Sequence, residues 1–202
     1  KGIAPGRGGQ AAATNINPYR GLEVFREQDA RFFFGRENVV QQLLELLESR
    51  RFLAVIGPSG SGKSSVVQAG LIPALKTRSK HTSADPTGQD LTPLVYTLFT
   101  PKERPLEELA FALRSVQKQT GTPQPVEQMV RRLQDSEKSL HYVAREICDA
   151  ADGARLLLLV DQFEELFTQT ADNNERRQFI DLLLSAVDIK DSPLSIIFTM
   201  RS

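Results

Sequence analysis

Two short stretches carry the residue types that phosphate chemistry needs. GPSGSGKS, from Gly57 to Ser64, fits the pattern G-x-x-x-x-G-K-[ST] at every fixed position. Gly57 and Gly62 frame Pro58, Ser59, Gly60 and Ser61, and glycine lets the backbone curl so that its N–H groups face phosphate oxygens. Lys63 supplies a positive charge for the β- and γ-phosphates of a nucleotide, and the Ser64 hydroxyl supplies an oxygen ligand for Mg²⁺. A helix starting here would add the positive end of its dipole, and Ser65 in its first turn counts with Gly57–Ser64 among the nucleotide-binding residues.

The second stretch is LLLLVDQFEELF, residues 156–167. Mg²⁺ is a hard cation that prefers oxygen ligands, and a carboxylate serves directly or through water. Asp161 ends an apolar run, where a buried strand would deliver its carboxylate to one edge of a sheet. Glu164 and Glu165 follow, and hydrolysis needs a group that orients or deprotonates a water. Spacing alone does not fix which glutamate faces the site; Glu164 is the first choice for water activation and Glu165 the second. The bland alternative for either is an acid in the first turn of a helix, favoured by the dipole.

These residues need a scaffold, and the hydrophobic pattern supplies one. FLAVI (52–56), LVYTLF (94–99), LLLLV (156–160) and LSIIFTM (194–200) read as strands. Residues 37–50, 63–75, 105–118, 126–150 and 174–187 read as helices, the second interrupted near its end by Pro73 and the fourth in one or two pieces. Residues 77–90 are polar and rich in breakers, a surface loop. Strands alternating with helices predict an α/β, three-layer fold with a mostly parallel sheet. Residues 1–16 are small and Gly/Ala-rich, a flexible leader, which leaves 17–202 as one domain.

Composition narrows the classes of function. Twenty-five Lys and Arg balance 25 Asp and Glu, so no global positive field favours nucleic acid or an anionic membrane. The longest purely aliphatic run, residues 156–160, is far below the roughly 18 residues of a membrane span. Cys148 is the single cysteine, which excludes an internal disulfide and fits a reducing, cytoplasmic setting. His81 and His141 show no ligand spacing and read as loop and helix surface.

Taken together, NPYRGLEVFREQDARFFFGRE before GPSGSGKSS, then VDQFEELF, then FTMRS, resembles the STAND class of P-loop NTPases, in particular the bacterial novel STAND subgroup. The similarity covers residues 17–202, and the aromatic-rich N-terminal segment is its most specific part. It implies a fold related to AAA+ ATPases, with sheet order 5-1-4-3-2. It implies a switch that binds ATP or ADP with Mg²⁺, hydrolyses slowly, oligomerises through this module, and works beside sensor and effector domains. It also implies sensor duty for Arg201 and contact of Phe34, Gly35 and Arg36 with the adenine or ribose side. Gln162 stands where many AAA+ enzymes place a catalytic glutamate, so the acids are shifted to a D-x-F-E-E arrangement. A fifth strand and lid regions are missing from the pattern, which suggests a fragment with impaired hydrolysis. The alternatives are a nucleotide-locked scaffold without significant hydrolysis and an AAA+-like DNA-handling ATPase.

Overall fold

The computed structural model describes residues 23–80, 93–121 and 123–202. The leader, the NPYRGL segment, most of the polar loop and His81 lie outside the described residues. Four strands form one sheet: β1 (Phe52–Gly57), β2 (Leu94–Phe99), β3 (Arg155–Val160) and β4 (Leu194–Arg201). Their order is β1-β4-β3-β2 and all pairs are parallel. This matches the implied order, and β1 and β2 are the edges among the described residues. The chain runs from β1 across the whole sheet to β2 and then returns, which opens a crevice at the carboxyl ends of the inner strands.

Helices cover both faces. On one side lie α1 (Glu37–Ser49) and the helical run after the phosphate loop: α2 (Lys63–Ser65), a π-helical stretch (Val66–Leu71) and α3 (Ile72–Lys80). On the other lie α4 (Pro105–Thr120), α5 (Val126–Gln134), α6 (Ser139–Asp149) and α8 (Asn173–Asp188); the short α7 (Glu165–Thr168) follows β3. Alternation along β3 divides the core. Leu156, Leu158 and Val160 pack with Leu109, Leu113 and Phe179, whereas Leu157 and Leu159 pack with Leu44, Val67 and Leu71. A strand buried on both faces reads as an uninterrupted apolar run, which is why LLLLV carries no period of two.

The structure corrects three details. Pro73 does not interrupt the helix, which continues through residue 80. The π-helical widening just before it relieves the clash that a proline ring makes with the carbonyl one turn back. Residues 77–80 are therefore helix and not loop. His141 is buried, not on the helix surface, and its Nδ1 lies 3.1 Å from Ser192 Oγ. Burial, then the nearby Arg145 charge, lowers its pKa. Cys148 is buried as expected, and burial pushes its thiol up to about 11.

Gly70, in the π-helical stretch, lets the N-terminal elements approach closely. A Cβ at this position would lie 2.5 Å from Val40 Cγ2 and 3.2 Å from Phe33 Cε1. Val40 is β-branched and stiff at χ1, so it cannot turn away cheaply. Gly70→Ala is expected to destabilise by a net ~1 kcal/mol or more, lowering Tm by roughly 2–4 °C. In a thermal-unfolding double-mutant cycle, Gly70→Ala with Val40→Ala should lose less than the sum of the single variants.

Candidate functional site: a phosphate loop at the strand ends

Three strands deliver their carboxyl ends to one place. The register sets Gly57 of β1 beside Arg201 of β4, and Val55 beside Thr199. On the other side of β4, Val160 of β3 pairs with Phe198, so Asp161 emerges next to Thr199. The phosphate loop, the carboxylate and the end of β4 are thus neighbours by strand pairing alone.

The loop itself is a tight turn. Gly60 and Gly62 have φ of 73° and 85°, the left-handed region in which glycine is at ease. Ser61 N–H donates to Pro58 O at 3.3 Å and closes the turn. Lys63 Nζ folds back over the loop and donates to the carbonyls of Gly57 and Pro58, each at 2.9 Å. Its ammonium is thereby held at the start of the loop, and Lys63 lines the cleft.

Ser64 Oγ donates to Asp161 Oδ1 at 2.7 Å. This separation is close to the edge of an octahedron, about 2.9 Å, that Mg²⁺–oxygen bonds of 2.0–2.1 Å would generate. An alcohol oxygen and a carboxylate oxygen at this spacing fit a hard divalent cation. Asp161 Oδ1 also accepts from Thr199 Oγ1 at 2.5 Å, and the Gln162 N–H donates to the same Thr199 oxygen at 3.0 Å. Gln162 has φ of 53°, a left-handed turn at a non-glycine residue. After it, Phe163 turns inward against Phe198, with ring centroids 4.9 Å apart. Glu164 turns back to the cleft, and its Oε2 accepts from the Arg201 N–H at 3.1 Å. Glu165 begins α7 and does not line the cleft.

The N-terminal segment closes the remaining side. Among the described residues, a cleft of about 540 Å³ is lined by the loop residues 59–65 together with Phe25, Phe33 and Phe34, and by Glu164, Thr199 and Arg201. That size suits a small-molecule ligand. Phe34 is 76% exposed and offers a free aromatic face at the cleft. Gly35, at φ 79°, turns the chain behind it, and Arg36 Nη2 reaches Ser61 O at 3.4 Å. Ser65 sits at the junction of loop and segment: its buried hydroxyl accepts from the Phe25 N–H at 3.1 Å. Its bond therefore ties the segment down at a residue that also lines the cleft.

A second tie lies farther out. Glu27 accepts from Lys76 Nζ at 2.7 Å and from the Tyr96 hydroxyl at 2.5 Å. The Lys76 ammonium also lies 4.8 Å from the centre of the Tyr96 ring. Burial pushes the Tyr96 phenol up, and the Glu27 carboxylate adds to it. For Lys76, burial acts downward, but the hydrogen bond to Glu27 and the neighbouring charge outweigh it, so its pKa is raised.

Sequence reasoning missed Thr199 and the tie through Glu27. A threonine in LSIIFTM reads as an ordinary β-branched strand residue, and its only signal is a hydroxyl near the end of an apolar run. His141 and Cys148 take no part in the site. Among the described residues no cluster of three or more His, Cys, Asp or Glu could hold a metal.

A family model described as novel STAND NTPase 1 matches residues 18–202. No curated protein sequence matches the chain. The structure is similar to that of ORC2 from Aeropyrum pernix, solved as ADPNP–ADP complexes, at 14% identity and a TM-score of 0.54, over 84% of this chain and 41% of that one. It is similar also to the Walker-type ATPase paby2304 of Pyrococcus abyssi, at 18% identity and a TM-score of 0.52, over 88% of this chain and 47% of that one. The chain thus spans less than half the length of either protein, and at these identities the likeness establishes the fold.

The ties through Ser65 and Glu27 generate a local prediction. Glu27→Ala should lower hydrogen-exchange protection of residues 25–33 by about tenfold while that of β3 stays at the wild-type level. Equal loss across the sheet would show instead that Glu27 supports the whole fold.

Proposed function

Since the chain belongs to the novel STAND NTPase 1 family, as the match over residues 18–202 shows, we propose that it is a Mg²⁺-dependent module that binds ATP and hydrolyses it slowly. In this reading it switches a larger signal-transduction or defence protein. The observation that carries the proposal is the convergence of Lys63, Ser64, Glu164 and Arg201 around one cleft beside the N-terminal aromatic segment, with Asp161 hydrogen-bonded to Ser64 at the same sheet edge.

Each residue has a stated task. The backbone of Gly57 to Gly62 and the Lys63 ammonium bind the phosphates. Ser64 and Asp161 hold Mg²⁺, which neutralises phosphate charge when bound. Glu164 lines the cleft and orients or deprotonates the attacking water; Glu165 does not line it. Arg201 meets the terminal phosphate as a sensor, a task supported by its place beside Gly57 in register. Phe34, Gly35 and Arg36 take the base and ribose side. In this reading residues 17–202 are one NTPase module, self-association passes through it, and sensor and effector parts flank it.

A second reading has one observation in its favour. The Glu164 carboxylate is engaged by the Arg201 N–H, an arrangement that suits nucleotide retention without turnover. A single-turnover assay with labelled ATP separates the two. Release of γ-phosphate supports the switch, and retention of intact ATP supports a nucleotide-locked scaffold. The DNA-handling alternative has only the shared fold behind it, and 25 basic against 25 acidic residues give it no support.

Lys63→Ala should weaken binding of Mg-ATP at least about tenfold, because a charge-assisted contact to phosphate is lost. Binding that survives this change undiminished removes the proposal. Glu164→Gln should retain ATP and slow the single-turnover step by about 10²-fold. If Glu165→Gln is the slower variant, the water belongs to Glu165.

A further inference from the structure

We infer that Thr199 is a positioning residue of this site, one that fixes the Asp161 carboxylate and the turn that aims Glu164 at the cleft; the inference rests on the nucleotide-site reading above. Thr199 is 4% exposed, and both functions of its hydroxyl are in use. The proton goes to Asp161 Oδ1 at 2.5 Å, and a lone pair receives the Gln162 N–H at 3.0 Å. Its backbone carbonyl accepts the Phe163 N–H at 2.9 Å. One residue therefore bonds three consecutive residues of the turn. Two positions on, the Arg201 N–H meets Glu164 Oε2, so the end of β4 touches every residue from Asp161 to Glu164.

Strand formation does not explain the hydroxyl. Valine has nearly the same shape and at least as good a fit to a pleated sheet. A valine would leave the Gln162 N–H without this acceptor and Asp161 Oδ1 with Ser64 as its hydroxyl donor. Ser64 is itself assigned to Mg²⁺, whereas Thr199 is not. Its bond to the carboxylate is therefore the one that can orient Asp161 independently of the cation. Such outer contacts to a metal-holding carboxylate commonly change metal affinity 10–100-fold.

The test compares Thr199→Val with Thr199→Ser. Binding of a fluorescent ATP analogue is titrated with Mg²⁺, and the same analogue is titrated in EDTA. Thr199→Val should need about tenfold more Mg²⁺ for half-maximal binding, with metal-free affinity within about twofold of wild type. Thr199→Ser, which keeps the hydroxyl, should return to within about threefold of wild type. An unchanged Mg²⁺ requirement in Thr199→Val overturns the inference, as does an equal loss in EDTA that serine does not rescue. If the wild-type chain shows no nucleotide binding that Lys63→Ala removes, the nucleotide reading itself fails. Hydrogen exchange at Gln162 to Glu165 then decides the role of Thr199: faster exchange in Thr199→Val supports it, and unchanged exchange refutes it. Should Thr199→Val fail to fold, Thr199→Ala against Thr199→Ser gives the same contrast.

Discussion

The register of β4 between β1 and β3 is the constraint on which the site depends. Among the described residues, β4 is the one strand that touches both the phosphate-loop strand and the carboxylate strand. Side chains along a strand alternate between faces, so a slip of one residue would reverse every one of them. Ile196 packs on the α4–α8 side and Ile197 on the α1–α3 side, and each face is filled. The apolar core thereby locks the register, and the locked register sets Thr199 beside Asp161 and Arg201 beside Gly57. Hydrophobic burial far from the chemistry fixes polar groups at the strand ends to within a hydrogen bond.

Those polar groups then have to be satisfied. A buried hydroxyl or N–H without a partner costs about 1–3 kcal/mol. At the strand ends each such group finds one: Ser64 and Thr199 both donate to Asp161, and Gln162 donates to Thr199. The N-terminal segment is fastened by the same means to the helical run that leaves the phosphate loop, through Phe25 to Ser65 and through Glu27 to Lys76. Gly70 removes the side chain that would hold the two apart. The wall of the cleft and its floor are therefore joined through adjacent residues of one helix, Ser64 facing Asp161 and Ser65 facing the segment.

Much of this was legible in the sequence. The loop pattern, the four apolar strands and the carboxylate at the end of the third each carry a signal that local physics dictates, and the parallel sheet follows from the alternation of strands and helices. What was not legible depends on pairing across the sheet. Thr199 becomes informative only once β4 lies next to Asp161. The π-helical stretch before Pro73 has no pattern of its own, so proline reads as a break. His141 looks like a surface residue until the loop before β4 brings Ser192 against it. Ser65 continues the loop motif in sequence, yet one step of 100° around a helix turns its hydroxyl toward Phe25.

The turn after Asp161 separates two adjacent glutamates that spacing alone does not distinguish. Gln162 adopts φ of 53°, a left-handed conformation that costs a non-glycine residue about 1–2 kcal/mol. Two bonds to Thr199 offset that cost, one from the Gln162 N–H and one from the Phe163 N–H. The reversal sends Phe163 into an aromatic cluster with Phe198, Phe179 and Phe167. With Phe163 anchored inward, Glu164 is carried back over the end of β4, where its carboxylate meets the Arg201 N–H. Glu165 is the first residue of α7, and its N–H closes the turn onto Gln162 O. A glutamate directly after Asp161 would occupy the left-handed position, which also borders the cleft but whose Gln162 side chain makes no hydrogen bond to β4. The turn uses its first residue for the reversal and its second for the core, and the third, Glu164, is the one whose carboxylate bonds the end of β4.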